Sequence, residues 1–575
     1  MAHLIGRKLW LAVAGGVILA LVLAACGGGD PTATPKLPPT PTSPPPPTRP
    51  APTPTATPAA VPTSVVKPAG KRGGTLNLRS IAGFPLTGDT YDARSGYDFG
   101  NIGAVLNNLI WKDPYGASGA AIAGDLADSW AVSESGTAIT FKLRAGVKYH
   151  NGTPFTAKDV VYNLDRVINP RSPQMTFFKV TLAAMSKVEA VDDLTVKVTL
   201  KAPSNIFIPA LALMGVLMYP SEYLFPERLD EWKKAGFVGT GPFKVTKYEP
   251  GVKMEYVRNP EYFKTGLPYV DGLLMVNSTI PVATAAFRAG KIDASSIDQS
   301  AYQYQRAELA RELGFVSVSA VAGIYSIQLN QKFPFTEPKV REAIDLAMDR
   351  YGFANVWLQG DGDPLAPPQV PPERGGLWGI SQSVLKTLPE YQEDKTAAVA
   401  RGRALLKEAG IDPSAITINI MNNDTFASWG ELTEAGIRAL GFKTKLDIVS
   451  SAASTERLAR GDFDINNSSY AIQLDDPGDL LARGVRSDGP FNYGKWKNPK
   501  LDQLFDEQDR TLDFDKRKVL VVEIQRIVMD DNVYIPAVIR GVYHGYFPWV
   551  KNYPTNLPFA NDNLFRWEQV WLDRG

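Results

Sequence analysis

An α/β fold of two or three domains, carried behind a secretory leader and an extended spacer, is what this sequence predicts. Strand-like alternation and helix-like periodicity interleave along the body, and a strand, helix, strand run between residues 416 and 449 demands a parallel pair. About 500 residues follow the leader and spacer, more than one hydrophobic core organises. Residues 30–70 are dominated by Pro and Thr and cannot bury the apolar surface that folding requires.

The leader comes first. Arg7 and Lys8 precede the apolar run Leu9 to Leu23, and Ala24 and Ala25 stand before Cys26 and three glycines. A positive start, a short apolar stretch and small residues at the cut make residues 1–25 a Sec signal. Leu23-Ala24-Ala25-Cys26 resembles the lipobox of bacterial lipoproteins, which implies that Cys26 becomes the lipid-modified first residue of the mature chain. An uncleaved membrane anchor competes with this reading, since the run approaches spanning length. It gives no reason for the only cysteine in the chain. Either way the body lies outside the cytoplasm. Residues 27–70 then form a spacer, extended as polyproline II at about 3.1 Å per residue or merely flexible. Its threonines could also accept sugars.

The net charge of +1 gives no reason to expect a nucleic-acid partner. With Cys26 spent on lipid, disulfides, thiolate metal sites and cysteine nucleophiles are excluded from the body. Histidine is confined to His3 in the leader, His150 and His544, and neither His-Glu-x-x-His nor Gly-x-Ser-x-Gly occurs. No cofactor and no metal site are expected.

The body opens with an alternating strand at Thr75 to Arg79. A second, Thr137 to Leu143, sets Ile139, Phe141 and Leu143 on one face and is followed by a turn at Asn151-Gly152. Thr156 and Asp159 suit a capping box for a helix to Ile168, and a strand follows at Leu194 to Leu200. Val340, Ile344, Ala347 and Met348 keep helical spacing behind Thr336 and Pro338. Gly410 suits the end of the helix carrying Leu405 and Leu406. Strand Ile416 to Met421, helix Ser428 to Leu440 before Gly441, and strand Lys443 to Val449 form the β-α-β run. Helix Ser454 to Arg460 and strand Phe463 to Tyr470 complete the pattern.

Residues 141–161, Phe-Lys-Leu-Arg-Ala-Gly-Val-Lys-Tyr-His-Asn-Gly-Thr-Pro-Phe-Thr-Ala-Lys-Asp-Val-Val, resemble the signature of the family 5 extracellular solute-binding proteins, the peptide- and nickel-type receptors of ABC importers. Further blocks recur in the family's order: Gly239 to Phe243 with Arg258 to Phe263, Ala289 to Asp293, Leu329 to Arg350, Arg403 to Gly410, and Gly461 to Asp464. The resemblance implies a two-lobed periplasmic-binding-protein-like fold of the class II, cluster C type, with an extra subdomain at about 110–190 in the N-terminal lobe. The expected division is 71–325 for the first lobe, 326–535 for the second, and a return to the first over 536–575.

In open α/β sheets the ligand crevice lies beyond the carboxyl ends of the strands. The loops leaving two such ends offer Asn422, Asn423, Phe426 and Trp429, and Tyr470, Gln473 and Asp475. Ser80, Phe84 and Tyr97 follow the first strand's exit. Polar groups between aromatic walls are what a small-ligand pocket requires. Plain structural readings stand beside these: Asn423 or Asp424 as a helix cap, Asp476-Pro477-Gly478 as a turn, Trp429 as packing under its helix, and Trp111 and Trp130 as core. By the resemblance, peptide-binding members place an acid where Gln473 stands, to receive the ligand's amino group, and an aromatic wall at Tyr470. A neutral amide does not replace that charge-assisted contact, although Asp475 could serve after a small loop shift.

The implied function is a lipid-anchored, monomeric, non-enzymatic receptor on the outer face of the cell membrane. It would close its lobes on a peptide or small-molecule ligand and deliver it to ABC permease subunits. Hinges are expected near Ala320 to Asn330 and Tyr534 to Arg540. Two other readings are an extracytoplasmic hydrolase using Asp475, Asp476 and Asp479, and a solute sensor or chaperone on the same fold. The hydrolase requires opposed carboxylates about 5 to 9.5 Å apart, which three acids in one short loop do not predict.

Overall fold

The computed structural model of the protein describes residues 70–80, 89–91, 99–115, 122–171, 178, 181–213, 215–225, 227–297, 316–424, 427–472, 474–554 and 566–574. The alternating segments form strands. β1 (Thr75–Ser80) buries Leu76 and Leu78. A short antiparallel pair, β2 (Ile110–Lys112) and β3 (Ile122–Gly124), precedes a four-stranded antiparallel sheet. That sheet contains β4 (Ala127–Val132), β5 (Ala138–Leu143), β6 (Met185–Asp192) and β7 (Thr195–Leu200), in the order β4-β5-β7-β6. Helix α1 (Ala157–Ile168) covers part of it, with Val160 and Leu164 fully buried. Its start is fixed as expected: the Thr156 N–H donates to the Asp159 carboxylate at 3.0 Å, satisfying a donor outside the helical ladder.

β8 (Phe243–Glu249), β9 (Lys253–Arg258), β10 (Gly272–Asn277) and β11 (Ala294–Ile297) complete the first lobe's strands before β12 (Val316–Leu329). The second lobe then contributes α2 (Pro338–Ala347), α3 (Thr396–Glu408), β13 (Thr417–Asn423), α4 (Ala427–Ala439), β14 (Lys443–Val449), α5 (Ser451–Arg460) and β15 (Ile465–Ala471). Helices α6 (Leu480–Val485), α7 (Pro499–Arg510) and α8 (Phe514–Asp531) lead into β16 (Tyr534–Tyr546). Finally β17 (Val550–Lys551) pairs with β18 (Trp571–Leu572).

β13 and β14 are parallel in register from Thr417 opposite Lys443 to Asn423 opposite Val449, as the β-α-β pattern requires. Gly441, at φ 101°, takes the left-handed backbone that turns the chain from α4 into β14. Helix α5 begins at Ser451 rather than Ser454, because the Ser450 side chain accepts the Ala453 N–H and caps it earlier.

Ten strands form one sheet in the order β14-β13-β15-β12-β16-β11-β1-β10-β9-β8. The long strands β12 and β16 lie in both lobes. Val316 to Val321 pair with Gly541 to Tyr546, which also flank β11, whereas Gly323 to Leu329 pair with β15. Register shifts between Val321 and Gly323 and between Tyr325 and Ser326 mark the passage. Such irregularities bend a strand and sharpen its twist. The first lobe has one large apolar cluster, and the second has one on each face of its part of the sheet.

The C-terminal return is tied to the first lobe by buried charge. Arg566 meets Asp125 at 2.7 Å, Lys264 meets Asp125 at 3.1 Å and Glu568 at 2.9 Å, and the Trp111 ring lies 4.2 Å from the Arg566 guanidinium. Burial opposes ionisation of Asp125, but Arg566 and Lys264 more than offset it and hold its carboxyl below the usual range. Asp125→Ala leaves Arg566 buried without this partner. We expect a loss of about 3–5 kcal/mol in urea-unfolding free energy; a loss below about 1 kcal/mol would show that the group is not a structural tie.

Candidate functional site

β13 and β15 run parallel, so their carboxyl ends, Asn423 and Ala471, point the same way. They point toward the first lobe. The loop after β15 carries Leu474, which is 2% exposed and belongs to the first lobe's apolar cluster, and Gly478 packs on Ile206 of that lobe. The crevice expected beyond the strand ends is therefore a seam between lobes.

Within that loop the three acids differ. Asp479 accepts the Leu474 N–H at 3.0 Å and pairs with Arg483 at 2.8 Å, closing the loop on itself. Asp476 takes Arg517 through both oxygens, at 2.9 and 2.7 Å, and its Oδ1 accepts the Gly478 N–H. Both are buried structural groups, and the turn reading of Asp476 holds. The geometry therefore leaves only one of the loop's three acids outside a buried ion pair, so it offers no opposed pair of carboxylates here. Asp475 is half-buried; its Oδ2 accepts the Leu377 N–H at 2.6 Å, and its carbonyl accepts the Trp378 indole N–H at 2.9 Å. Burial pushes its carboxyl up to about 6, with the Asp476 charge adding and the Leu377 N–H and Lys112 opposing.

Two residues expected in the crevice lie inside the second lobe instead. Asn422 is 1% exposed; its Oδ1 accepts from Asn467 at 3.0 Å, and Asn467 in turn accepts from Thr433 of α4 at 3.0 Å. This chain of amides ties β13, β15 and α4 together. Trp429 is fully buried, stacked on Trp357 at 5.0 Å and tilted against Tyr325 at 5.2 Å. The first turn of α4 places it under the helix, so it is a core residue rather than a crevice wall. Asn423 ends β13 half-buried, and Asp424 after it is exposed. Tyr470 lies on β15 opposite Ile324, one residue before the strand ends. Ser80 ends β1 beside Asn277 of β10. Cys26, Phe84, Tyr97, Phe426 and Gln473 lie outside the described residues.

The structure also brings forward groups without a local sequence signal. Half-buried Trp357 sits on Trp429 and Tyr325, and Arg540 of β16 donates to the Tyr325 hydroxyl at 2.8 Å where the strands cross between lobes. These contacts join residues more than 200 positions apart in the case of Arg540 and Tyr325, so no spacing could have found them. His150 has a structural place. Its Nδ1 accepts the Gly239 N–H at 3.3 Å, so Nε2 donates to the Gly241 carbonyl at 3.0 Å and the ring is neutral. Burial pulls its pKa down to about 4. Among the described residues no group of histidine, cysteine and acids could hold a metal ion.

The fold and this seam define a two-lobed binding protein. A family model described as bacterial extracellular solute-binding proteins, family 5 (middle), matches residues 121–492, and the chain belongs to that family. It is an extracytoplasmic solute-binding protein of the type that serves ABC transporters. Heme-binding protein A of Haemophilus influenzae is 27% identical over 476 residues, covering 76% of this chain and 83% of that protein. Two solved structures share the fold. The periplasmic binding protein AgaA of A. tumefaciens R10, in complex with agropinic acid, matches with a TM-score of 0.75 at 23% identity over 87% of this chain and 99% of its own. DppA of Helicobacter pylori, in complex with the peptide STSA, matches with a TM-score of 0.74 at 22% identity over 88% and 99%. Among the described residues no helix is long and apolar enough to cross a membrane.

Two outcomes follow from the packing. Trp429→Ala is expected to cost about 3–5 kcal/mol of unfolding free energy, as for a buried aromatic side chain; a crevice wall would change binding with little effect on urea unfolding. For His150, whose folded pKa near 4 is depressed, the unfolded chain binds the proton first. Stability is full above the unfolded value of about 6.5 and falls as pH drops toward the folded pKa, by up to roughly 1.4 kcal/mol per pH unit. Unfolding curves of the protein and of His150→Asn, compared between pH 7 and pH 4, should lose that slope in the variant.

Proposed function

We propose that the protein is a membrane-tethered receptor that captures a small organic or peptide-like solute by closing its lobes and hands it to the permease of an ABC importer, without covalent chemistry. The observation that carries this reading is the loop after β15, which leaves a carboxyl strand end of the second lobe and buries Leu474 against the first. A solute held at those strand ends would be enclosed by both lobes. The passage of β12 and β16 between lobes supports hinges near residues 320–330 and 534–540, where two strands with shifted register can absorb a rotation. A solute that binds the closed form better than the open one would shift the population toward the form the permease receives.

Ligand class is where the relatives diverge, since their names and complexes cover heme, agropinic acid and a peptide. The residues favour a solute recognised by neutral hydrogen bonds and an aromatic wall. By the family resemblance, Gln473 stands where peptide-binding members place an acid for the ligand's ammonium, and Asp475 already uses one oxygen on the Leu377 N–H. Tyr470, Gln473 and Asn423 are the proposed contacts, with Asp475 supporting the loop from behind. Tethering would come from a lipid on Cys26, with residues 27–70 as the spacer that lets the body move beside the permease.

Native mass spectrometry of the purified protein identifies the co-purifying solute, and calorimetry with it tests the contacts. Tyr470→Ala and Gln473→Ala are each expected to weaken binding about tenfold or more without lowering the unliganded melting temperature, about 1.4 kcal/mol at the site. Unchanged affinity in both would remove the site assignment. Cys26→Ala should move the protein from the membrane to the soluble fraction with its affinity intact; full retention in the membrane would replace the lipid anchor with a helical one.

A further inference from the structure

Besides the crossing strands and the packing of Leu474, the lobes are joined by a compact set of hydrogen bonds between residues 204–206, which follow β7 in the first lobe, and the C-terminal end of α7 in the second. The Asn205 side-chain amide donates to the carbonyls of Asp509 and Thr511, both at 2.8 Å, and reaches Gln508 O at 3.5 Å. Its backbone N–H donates to the Asp509 carbonyl at 3.0 Å. In return the Asp509 carboxylate accepts the Ser204 hydroxyl at 2.7 Å and the Ile206 N–H at 3.2 Å. Ile206 is itself buried in the first lobe's apolar cluster, so this loop is anchored on its own side.

The chemistry of the contact is specific. The last carbonyls of a helix have no partner within it and carry the negative end of its dipole, so they need donors from elsewhere. Here the first lobe supplies them. The contact is also wired to the seam. Gln508, the residue before Asp509, accepts from Arg517 at 2.9 Å, and Arg517 holds Asp476 of the loop after β15. Gly478 of that loop lies against Ile206. Every donor and acceptor belongs to the chain, so nothing in the contact requires a solute.

We propose that residues 204–206 and the end of α7 form an interlobe latch that stabilises the closed conformation without ligand. The inference rests on the reading that the lobes open and close. It implies a protein that is substantially closed when empty, so that latch strength, together with the solute, sets how readily the crevice opens.

Because Cys26 is the only cysteine, a Cys26→Ala chain carrying Lys158→Cys on α1 and Lys407→Cys on α3, both exposed positions, can be spin-labelled cleanly on the two lobes. Electron–electron distance measurements on the unliganded protein report the closed and open populations. The closed-to-open ratio is expected to fall about tenfold or more in Asn205→Ala, which loses the side-chain bonds. It should fall further in Asn205→Asp, which sets a carboxylate against the helix end and Asp509. Far-UV circular dichroism and melting of each variant establish that it is folded. If folded variants keep the ratio of the parent while two distance populations are present, the latch is overturned and lobe closure survives. If one unchanged distance is seen in the parent and in every variant, the latch and the closure reading fall together.

Discussion

The pairing of two long antiparallel strands, β12 and β16, is what the remaining structure depends on. Their backbone groups must be satisfied along the whole passage between lobes, since an unpaired buried amide or carbonyl costs as much as a lost hydrogen bond. The result is one ten-stranded sheet rather than two separate ones. Each lobe adds strands to the outer side of the same pair: β11 and β1 on one flank, β15 and β13 on the other. The lobes are thereby held in a fixed order, with the register shifts around residues 321–326 at the passage between them.

Around this spine, each lobe uses a buried arginine to fasten distant segments. Arg350 donates to the Pro536 carbonyl at 2.9 Å and to the Glu390 carbonyl at 2.7 Å while pairing with Asp345, so β16 is pinned to α2. Arg166 of α1 pairs with Asp89 beneath Tyr91. Arg566 does the same for the C-terminal return through Asp125. A guanidinium suits these places because it satisfies several acceptors in one plane and stays charged when buried.

Much of the fold was legible because it rests on local pattern. The Thr156 and Asp159 start of α1, the turn glycine at 441, and the alternation of Ile139, Phe141 and Leu143 are effects between residues a few positions apart. The crevice was legible only in outline. Carboxyl strand ends of β13 and β15 do face the other lobe, but the spacing of Asn422 and Trp429 is the same whether they look outward or inward. Packing chose inward: Asn422 is held by Asn467 and Trp429 by Trp357. Likewise the acids at 475, 476 and 479 look alike in sequence, and only Arg517, Arg483 and Leu377 separate their roles.

By itself the sequence determined the element types, the parallel β-α-β unit, the family and, through the scarcity of cysteine and histidine, the kinds of chemistry left to the body. These follow from periodicity, composition and short motifs, which act within one or two turns of chain. Tertiary structure decided which polar groups are consumed in holding the loops and lobes together. Asp475 meets Leu377 across 98 positions and Asn205 meets Asp509 across 304. Contacts of that reach depend on where the shared sheet brings the chain back, because a hydrogen bond is specified by distance and direction in space and not by separation along the sequence.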